Sequence, residues 1–190
     1  MMKKALLLAS LIAVAGLAQA ETATYAIDPT HTYATFEIKH FGTSTNRGRF
    51  EKKEGNVQFD KAGKSGKVEI TFDMNGISTG SSQFDTHLKS KDFFDVANNP
   101  TAKFVGDKFT FSGDKVASVA GQLTLKGKTA PVTLTATNFN CYENPMLKRE
   151  VCGGDFETTI ARSQWGMHYG LTFGIPDNVR LLVQIEAIKQ

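Results

Sequence analysis

The chain has 190 residues, 41% hydrophobic and 22% charged, with 17 Gly, 5 Pro and a formal net charge of +3, which excludes a disordered, collagen-like or disulfide-dense chain. Two of the basic residues, Lys3 and Lys4, fall in a leader segment; without them 20 basic residues face 19 acidic ones. The dense positive field that non-specific nucleic-acid binding requires is therefore missing, and no nucleic-acid partner is expected.

The leader comes first. Lys3-Lys4 form a short positive region, Ala5 to Leu17 is an apolar stretch broken only by Ser10 and Gly16, and Ala18-Gln19-Ala20 supplies a small-x-small cleavage site. An apolar run of about thirteen residues is short of the ~20 that cross a bilayer. Residues 1–20 thus read as a cleaved signal peptide rather than an anchor, with a domain over 21–190. No cysteine lies near the cleavage site to take a lipid, and no later segment reaches the ~18 uninterrupted apolar residues of a membrane span. The expectation is export without stable membrane insertion.

From there the chain reads as strands, because apolar and polar residues alternate with period two. Phe36 and Ile38 share one face of the segment Thr35–Lys39, Val57 and Phe59 one face of Asn56–Asp60, and Val68, Ile70 and Phe72 one face of Lys67–Asp73. Val119–Leu125 and Val132–Ala136, joined around Lys126-Gly127-Lys128, read as two strands and their connection. Asp155–Ile160 and Val179–Ile188 complete the series. Gly and Asn-Gly punctuate it at Asn75-Gly76, Lys61–Gly66, Ser112-Gly113-Asp114 and Pro176-Asp177-Asn178. One segment reads as helical, Ser81–Lys89 with an extension toward Phe93-Phe94-Asp95, placing Phe84, His87 and Leu88 on one face. The fold class is all-β, a single antiparallel domain of about eight strands with a short helical insert near residues 81–95. Periodicity alone leaves open a sandwich or a barrel, and a filled barrel or one that holds a long, thin ligand.

Cys141 and Cys152 flank a polar, turn-forming stretch with no histidine near it. In an oxidising compartment they read as a disulfide closing a hairpin-like loop, with free thiols as the alternative. Zinc would need about four ligands at closer spacing, and no metal is expected. The chain has no Gly-x-Ser-x-Gly, His-Glu-x-x-His, phosphate-loop or Cys-x-x-Cys motif, and His31, His40, His87 and His168 are scattered. No catalytic residue or cofactor is assigned, and the reading is not an enzyme.

Four blocks, in order, carry a resemblance. They are Ile27 to His40 with Arg47-Gly48-Arg49-Phe50; Asp85 to Val96 with Asn99-Pro100 and Phe104; Gly121 to Val132; and Arg162-Ser163-Gln164-Trp165-Gly166-Met167 followed by the strand from Val179. Together they resemble the YceI-like family across nearly the whole of the chain after the leader. Trp165 stands where a Phe is common in that pattern, and the loop between Cys141 and Cys152 looks like an elaboration found in a subset.

The resemblance implies a lipocalin-like, extended antiparallel barrel, located in the periplasm, with a long apolar pocket for a polyprenyl quinone, a prenyl phosphate or a related long-chain lipid. Its expected lining is Phe36, Ile38, Phe50, Phe59, Ile70, Phe72, Leu88, Phe93, Phe104, Leu123, Leu134, Phe156, Ile160 and Trp165, the apolar members of the alternating strands and the insert. Arg47, Arg162, His31 and His87 are the candidate head-group contacts. Asp28, His31 and His40 are read as pinning the barrel end by hydrogen bonds in preference to touching a head group, and Arg162 as pairing with a carboxylate such as Asp28 or Asp85. Phe93 and Phe94 are read as a plug beneath the insert, with a gate as the alternative, and Gly48, Gly121 and Gly127 as turn, bulge or close-contact glycines. An extracytoplasmic enzyme acting on a quinone or lipid, and a structural or interaction protein with a filled barrel, stand as the other two functional readings. A homodimer is left open.

Overall fold

Eleven strands carry residues 22–190, which a computed structural model describes; the expected signal peptide, residues 1–20, lies outside the described residues. The strands are β1 (Ala23–Ile27), β2 (Tyr33–His40), β3 (Ser44–Phe50), β4 (Lys53–Asp60), β5 (Ser65–Asp73), β6 (Ile77–Ser78), β7 (Thr101–Ser112), β8 (Lys115–Leu125), β9 (Lys128–Asn144), β10 (Arg149–Ala161) and β11 (Asn178–Lys189). They act as eight staves, because three staves are bent and counted twice. β1 and β2 pair with successive stretches of β11, β4 and β3 pair with β1 and β2, and β6 extends β5 against β3. With β1 bonded to β11 the antiparallel sheet closes into an eight-stave barrel, and the sandwich is excluded.

The break between β1 and β2 shows how a closed sheet survives a bend. Where the ladder lapses, the buried Thr32 hydroxyl donates to the Glu186 carbonyl and accepts from the Glu186 N–H, both at 3.1 Å, replacing the missing rung on β11. Beside it, the Asp28 carboxylate accepts from the Thr30 N–H at 2.8 Å and lies 2.8 Å from His31 Nδ1. Burial opposes ionisation of Asp28, but the hydrogen bonds from His31 and Thr30 outweigh it and hold the carboxyl below its usual pKa. Asp28 and His31 therefore pin this mid-barrel bend; the reading that placed them at the barrel end is corrected, and His40 alone of the three stands at an end.

The inward face follows the alternation in β2, β4, β5 and β11, where Phe36, Phe59, Val68, Ile70, Phe72 and Ala187 are all buried. Three bulges reset it elsewhere. The register slips between Gly106 and Lys108 in β7, between Val116 and Ser118 in β8 and between Asn138 and Ala136 in β9, so Val116 and Val119 are both buried and the half-buried Phe109, Phe111, Phe139 and Cys141 turn inward at odd positions after even ones. Gly48 is needed for another reason: the Phe36 ring lies across it, and a Cβ there would sit 2.3 Å from the ring.

The two ends differ. At one end the hairpins β4–β5, β7–β8 and β9–β10 close over Phe59, whose ring centroid lies 5.9–6.4 Å from those of Tyr25, Phe109, Phe111 and Phe139. At the other end sit the helix α1 (Ser82–Lys89), residues 90–100 and the segment 162–177. Ser81 caps α1, its side chain accepting from the Phe84 N–H. The helix stops at Lys89 and does not run on to Asp95, because the Ser90 N–H turns back to the His87 carbonyl and Asp95 takes a φ of 49°.

Cys141 and Cys152 form a disulfide between directly opposed residues of β9 and β10. Among the described residues the one cluster of metal-ligand types is Cys141, Glu150 and Cys152, and both sulfurs are committed to this bond. Replacing both cysteines by serine is expected to cost about 2–3 kcal/mol, mostly by freeing the unfolded chain. A urea titration of the variant beside the oxidised protein measures this; coincident midpoints would contradict it.

Candidate ligand-binding cavity

Inside the barrel lies a cavity of about 690 Å³, within the ~300–1,000 Å³ typical of small-molecule sites. Its wall is built by the inward alternation itself. β2 contributes Phe36 and Ile38, β3 Phe50, β5 Ile70 and Phe72, β7 Phe104, β8 Leu123, β9 Leu134 and β10 Ile160. From the insert come Leu88 and Phe93. Phe59 and Phe156 instead wall a second space of about 70 Å³ toward the closed end. Ile70, Phe104, Leu134 and Val183 line both spaces and form the floor between them.

Trp165 lines neither space, which corrects the expectation that placed it in the wall. It is 0% exposed, closes the 3-10 turn Arg162–Trp165, and donates from Nε1 to the Leu123 carbonyl at 3.1 Å. Its role is to seat the segment 162–177 on β8. Lys126, in the β8–β9 turn, ties the same segment to the insert by donating to the carbonyls of Lys91 (3.0 Å) and Gly166 (3.4 Å).

Of the four expected head-group contacts, the structure brings two to the cavity. His87 and Arg162 line it; Arg47 and His31 do not. Arg47 lies on the outside of β3, bonded to Glu37 at 2.7 Å, and His31 is exposed at the β1–β2 bend. Period two explains Arg47: it neighbours Gly48 on β3 and so faces away from it. Arg162 does not pair with Asp28 or Asp85. Its Nε donates to the Pro176 carbonyl and its Nη1 to the Met167 carbonyl, both at 3.0 Å, which clamps the neck of the segment 162–177. Burial pulls its pKa down and the nearby Asp177 pushes it back up, while Asp177 itself is held low chiefly by the Ser163 hydroxyl. Among the described residues Arg162 Nη2 is the one buried side-chain N or O with no partner, and protein atoms seal it from solvent.

The sequence reading missed the mouth. Phe41, Tyr169, Phe173 and Ile175 line the cavity from turns that have no periodicity to reveal them, and Lys39 and His40 join them from the end of β2. Phe93 and Phe94 both line the cavity but pack differently. Phe94 meets Phe50 at 5.7 Å between centroids, whereas Phe93 meets His87 at 4.9 Å and Tyr169 at 5.3 Å, linking the insert to the segment 162–177. Among the described residues, Lys39, His40, His87 and Arg162 are the basic groups on the wall, and no carboxylate lines it.

Comparison with known proteins gives one consistent result. The YceI-like domain matches residues 25–187. A UPF0312 protein of Pseudomonas aeruginosa is 36% identical over 196 aligned positions, covering all of both chains, and one of Pseudomonas savastanoi is 38% identical over 141, covering 72% of this chain and 73% of its own. Among solved structures, Burkholderia cenocepacia BcnA superposes with a TM-score of 0.70 at 25% identity, covering 85% of this chain and 99% of its own. A polyisoprenoid-binding domain from Saccharophagus degradans, implicated in plant cell wall breakdown, superposes at 0.64 with 14% identity, covering 90% of this chain and all of its own, and so speaks to the fold alone. With the family match spanning nearly every described residue and the barrel shared with solved relatives, this chain belongs to the YceI-like family.

Proposed function

We propose that this protein sequesters a long isoprenoid lipid, of the polyprenyl quinone or prenyl phosphate type, in its barrel, and acts as a periplasmic carrier after removal of residues 1–20. The observation that carries the reading is the cavity of about 690 Å³, walled mostly by apolar side chains, with the exposed Phe41, Tyr169 and Phe173 among its lining. A filled barrel has no such space. The Saccharophagus degradans neighbour is a polyisoprenoid-binding domain, which agrees with this reading, and the family match supports lipid binding.

Transfer from water gains roughly 0.8 kcal/mol per buried methylene, so a chain of about sixteen carbons offers on the order of 10 kcal/mol gross before ordering costs. No catalytic group is needed for that work. An enzyme acting on the same lipids would require a polar pair at the ligand's reactive end; on the wall His87 lies beside Tyr169, ring centroids 4.9 Å apart, and among the described residues no hydrogen bond joins the two.

The test is native mass spectrometry of gently purified, exported protein, followed by lipid extraction. A mass beginning at Glu21 with a bound prenyl lipid is expected. Protein that emerges empty, and that a polyprenyl quinone and a prenyl phosphate both fail to load, would refute the carrier reading.

A further inference from the structure

We propose that the cavity mouth is a docking surface for a lipid bilayer carrying anionic head groups, with Phe41 and Phe173 entering the interface. This rests on the carrier reading, since a lipid taken from a bilayer must otherwise cross water. Phe41 is 57% exposed and Phe173 69%, and both belong to the wall of the cavity. They stand on separate turns, one between β2 and β3 and one within the segment 162–177, so two independent pieces of chain present aromatic rings around one opening.

The backbone adds a second observation. Phe41 and Gly42 are the central residues of the turn closed by the Thr43 N–H and the His40 carbonyl, and both have positive φ, 50° and 73°. Asn-Gly is the usual solution for such a turn. A phenylalanine there takes a disfavoured conformation and leaves its ring largely in water, so neither local geometry nor core packing accounts for it. Phe173 is similarly displayed, between Gly170 and Gly174, which have φ of 79° and 92°.

Charge selects the surface. Of the ionisable groups on the wall, Lys39, His40, His87 and Tyr169 reach solvent, whereas Arg162 is buried beside Asp177; the carboxylate in contact with the exposed set is Asp92, 3.4 Å from His87. Exposed aromatic rings beside cations suit an anionic interface. Tyr169 is exposed with Phe41 and Phe173 at the mouth; the remaining large exposed apolar residues, Tyr142, Met146 and Leu147, lie on the β9–β10 hairpin between Glu143 and Glu150, with Lys148 and Arg149, and none of them lines the cavity.

Flotation with vesicles of phosphatidylcholine, alone or mixed with phosphatidylglycerol, tests the proposal on the intact protein. Binding is expected to favour the mixed vesicles and to weaken with salt. Phe41→Asn and Phe173→Ser are each expected to reduce vesicle partition by roughly tenfold. Phe41→Asn should be at least as stable as the parent, because asparagine tolerates this φ. Uptake of a prenyl lipid from vesicles should slow in both variants by more than uptake from detergent, the difference separating docking from any change to the cavity wall. Normal uptake from detergent without flotation, or variants that float as well as the parent, overturns docking alone. So does a dimer in sedimentation that both variants abolish, which would assign the patch to a second copy of the chain. Failure of uptake from detergent instead overturns the carrier reading on which the proposal rests.

Discussion

Trp165→Ala is expected to destabilise the empty protein by about 3–5 kcal/mol, which for a domain of this size lowers Tm by roughly 10 °C. The side chain is fully buried, lies outside both internal spaces, and holds the Leu123 carbonyl through Nε1. Truncation therefore opens a void that no ligand fills and removes the donor to that carbonyl. Trp165→Phe keeps most of the bulk and loses only the N–H, so its cost should fall between parent and alanine variant. Thermal denaturation of the three delipidated proteins gives the order. An alanine variant within about 0.5 kcal/mol of the parent, the range of a surface change, would mean that the segment 162–177 is not seated by this residue.

The second large effect separates wall from core. Phe72→Ser and Phe59→Ser make the same chemical change at inward positions of the adjacent strands β5 and β4, toward opposite ends of the barrel. Phe72 faces the cavity of about 690 Å³, with the Phe50 ring 6.3 Å away, whereas Phe59 is the hub of the aromatic cluster at the closed end. At Phe59 a void and a buried hydroxyl should cost about 3–5 kcal/mol of stability. At Phe72 the serine hydroxyl faces an open space that water can reach, so the loss in the empty protein should be nearer 1–2 kcal/mol. Affinity for a long prenyl quinone should behave in the opposite way, falling roughly tenfold to a hundredfold for Phe72→Ser through the lost apolar wall. Denaturation midpoints paired with binding titrations decide it. A Phe72 variant that unfolds as readily as the Phe59 variant would show the cavity to be packed shut in solution.

Much of this was legible in the order of the residues. A strand exposes alternate side chains to opposite faces, so Val68, Ile70 and Phe72, or Val179, Leu181 and Val183, announce one buried face without any knowledge of their partners. The helix start at Ser82, the closing pair of cysteines and the turns at Ser112–Asp114 and Lys126–Gly127 are equally local, since capping, cross-linking and turn geometry depend on residues close in sequence. What periodicity could not carry was closure, because a sandwich and a barrel present the same alternation. The pairing of β1 with β11 joins the first and last strands, and only the folded sheet contains it.

Three further matters were decided by tertiary structure, each for a stated reason. The bulges in β7 and β9 reverse the inward parity, so Phe109, Phe139 and Cys141 reach the interior from positions that strict alternation assigns to the outside. Arg162 is buried by the segment that follows it and is spent on the carbonyls of Met167 and Pro176; which carbonyls a long side chain meets depends on how that loop returns. The division of the interior into a large space and a small one depends on Ile70, Phe104, Leu134 and Val183 meeting between them, although β5, β7, β9 and β11 lie apart in sequence. The sequence by itself determined which residues turn inward along most staves and what chemistry they bring, because those are properties of a strand. Whether the interior stays open, and where it opens, was settled only when eight staves and two end segments met, because a cavity is a property of what fails to touch.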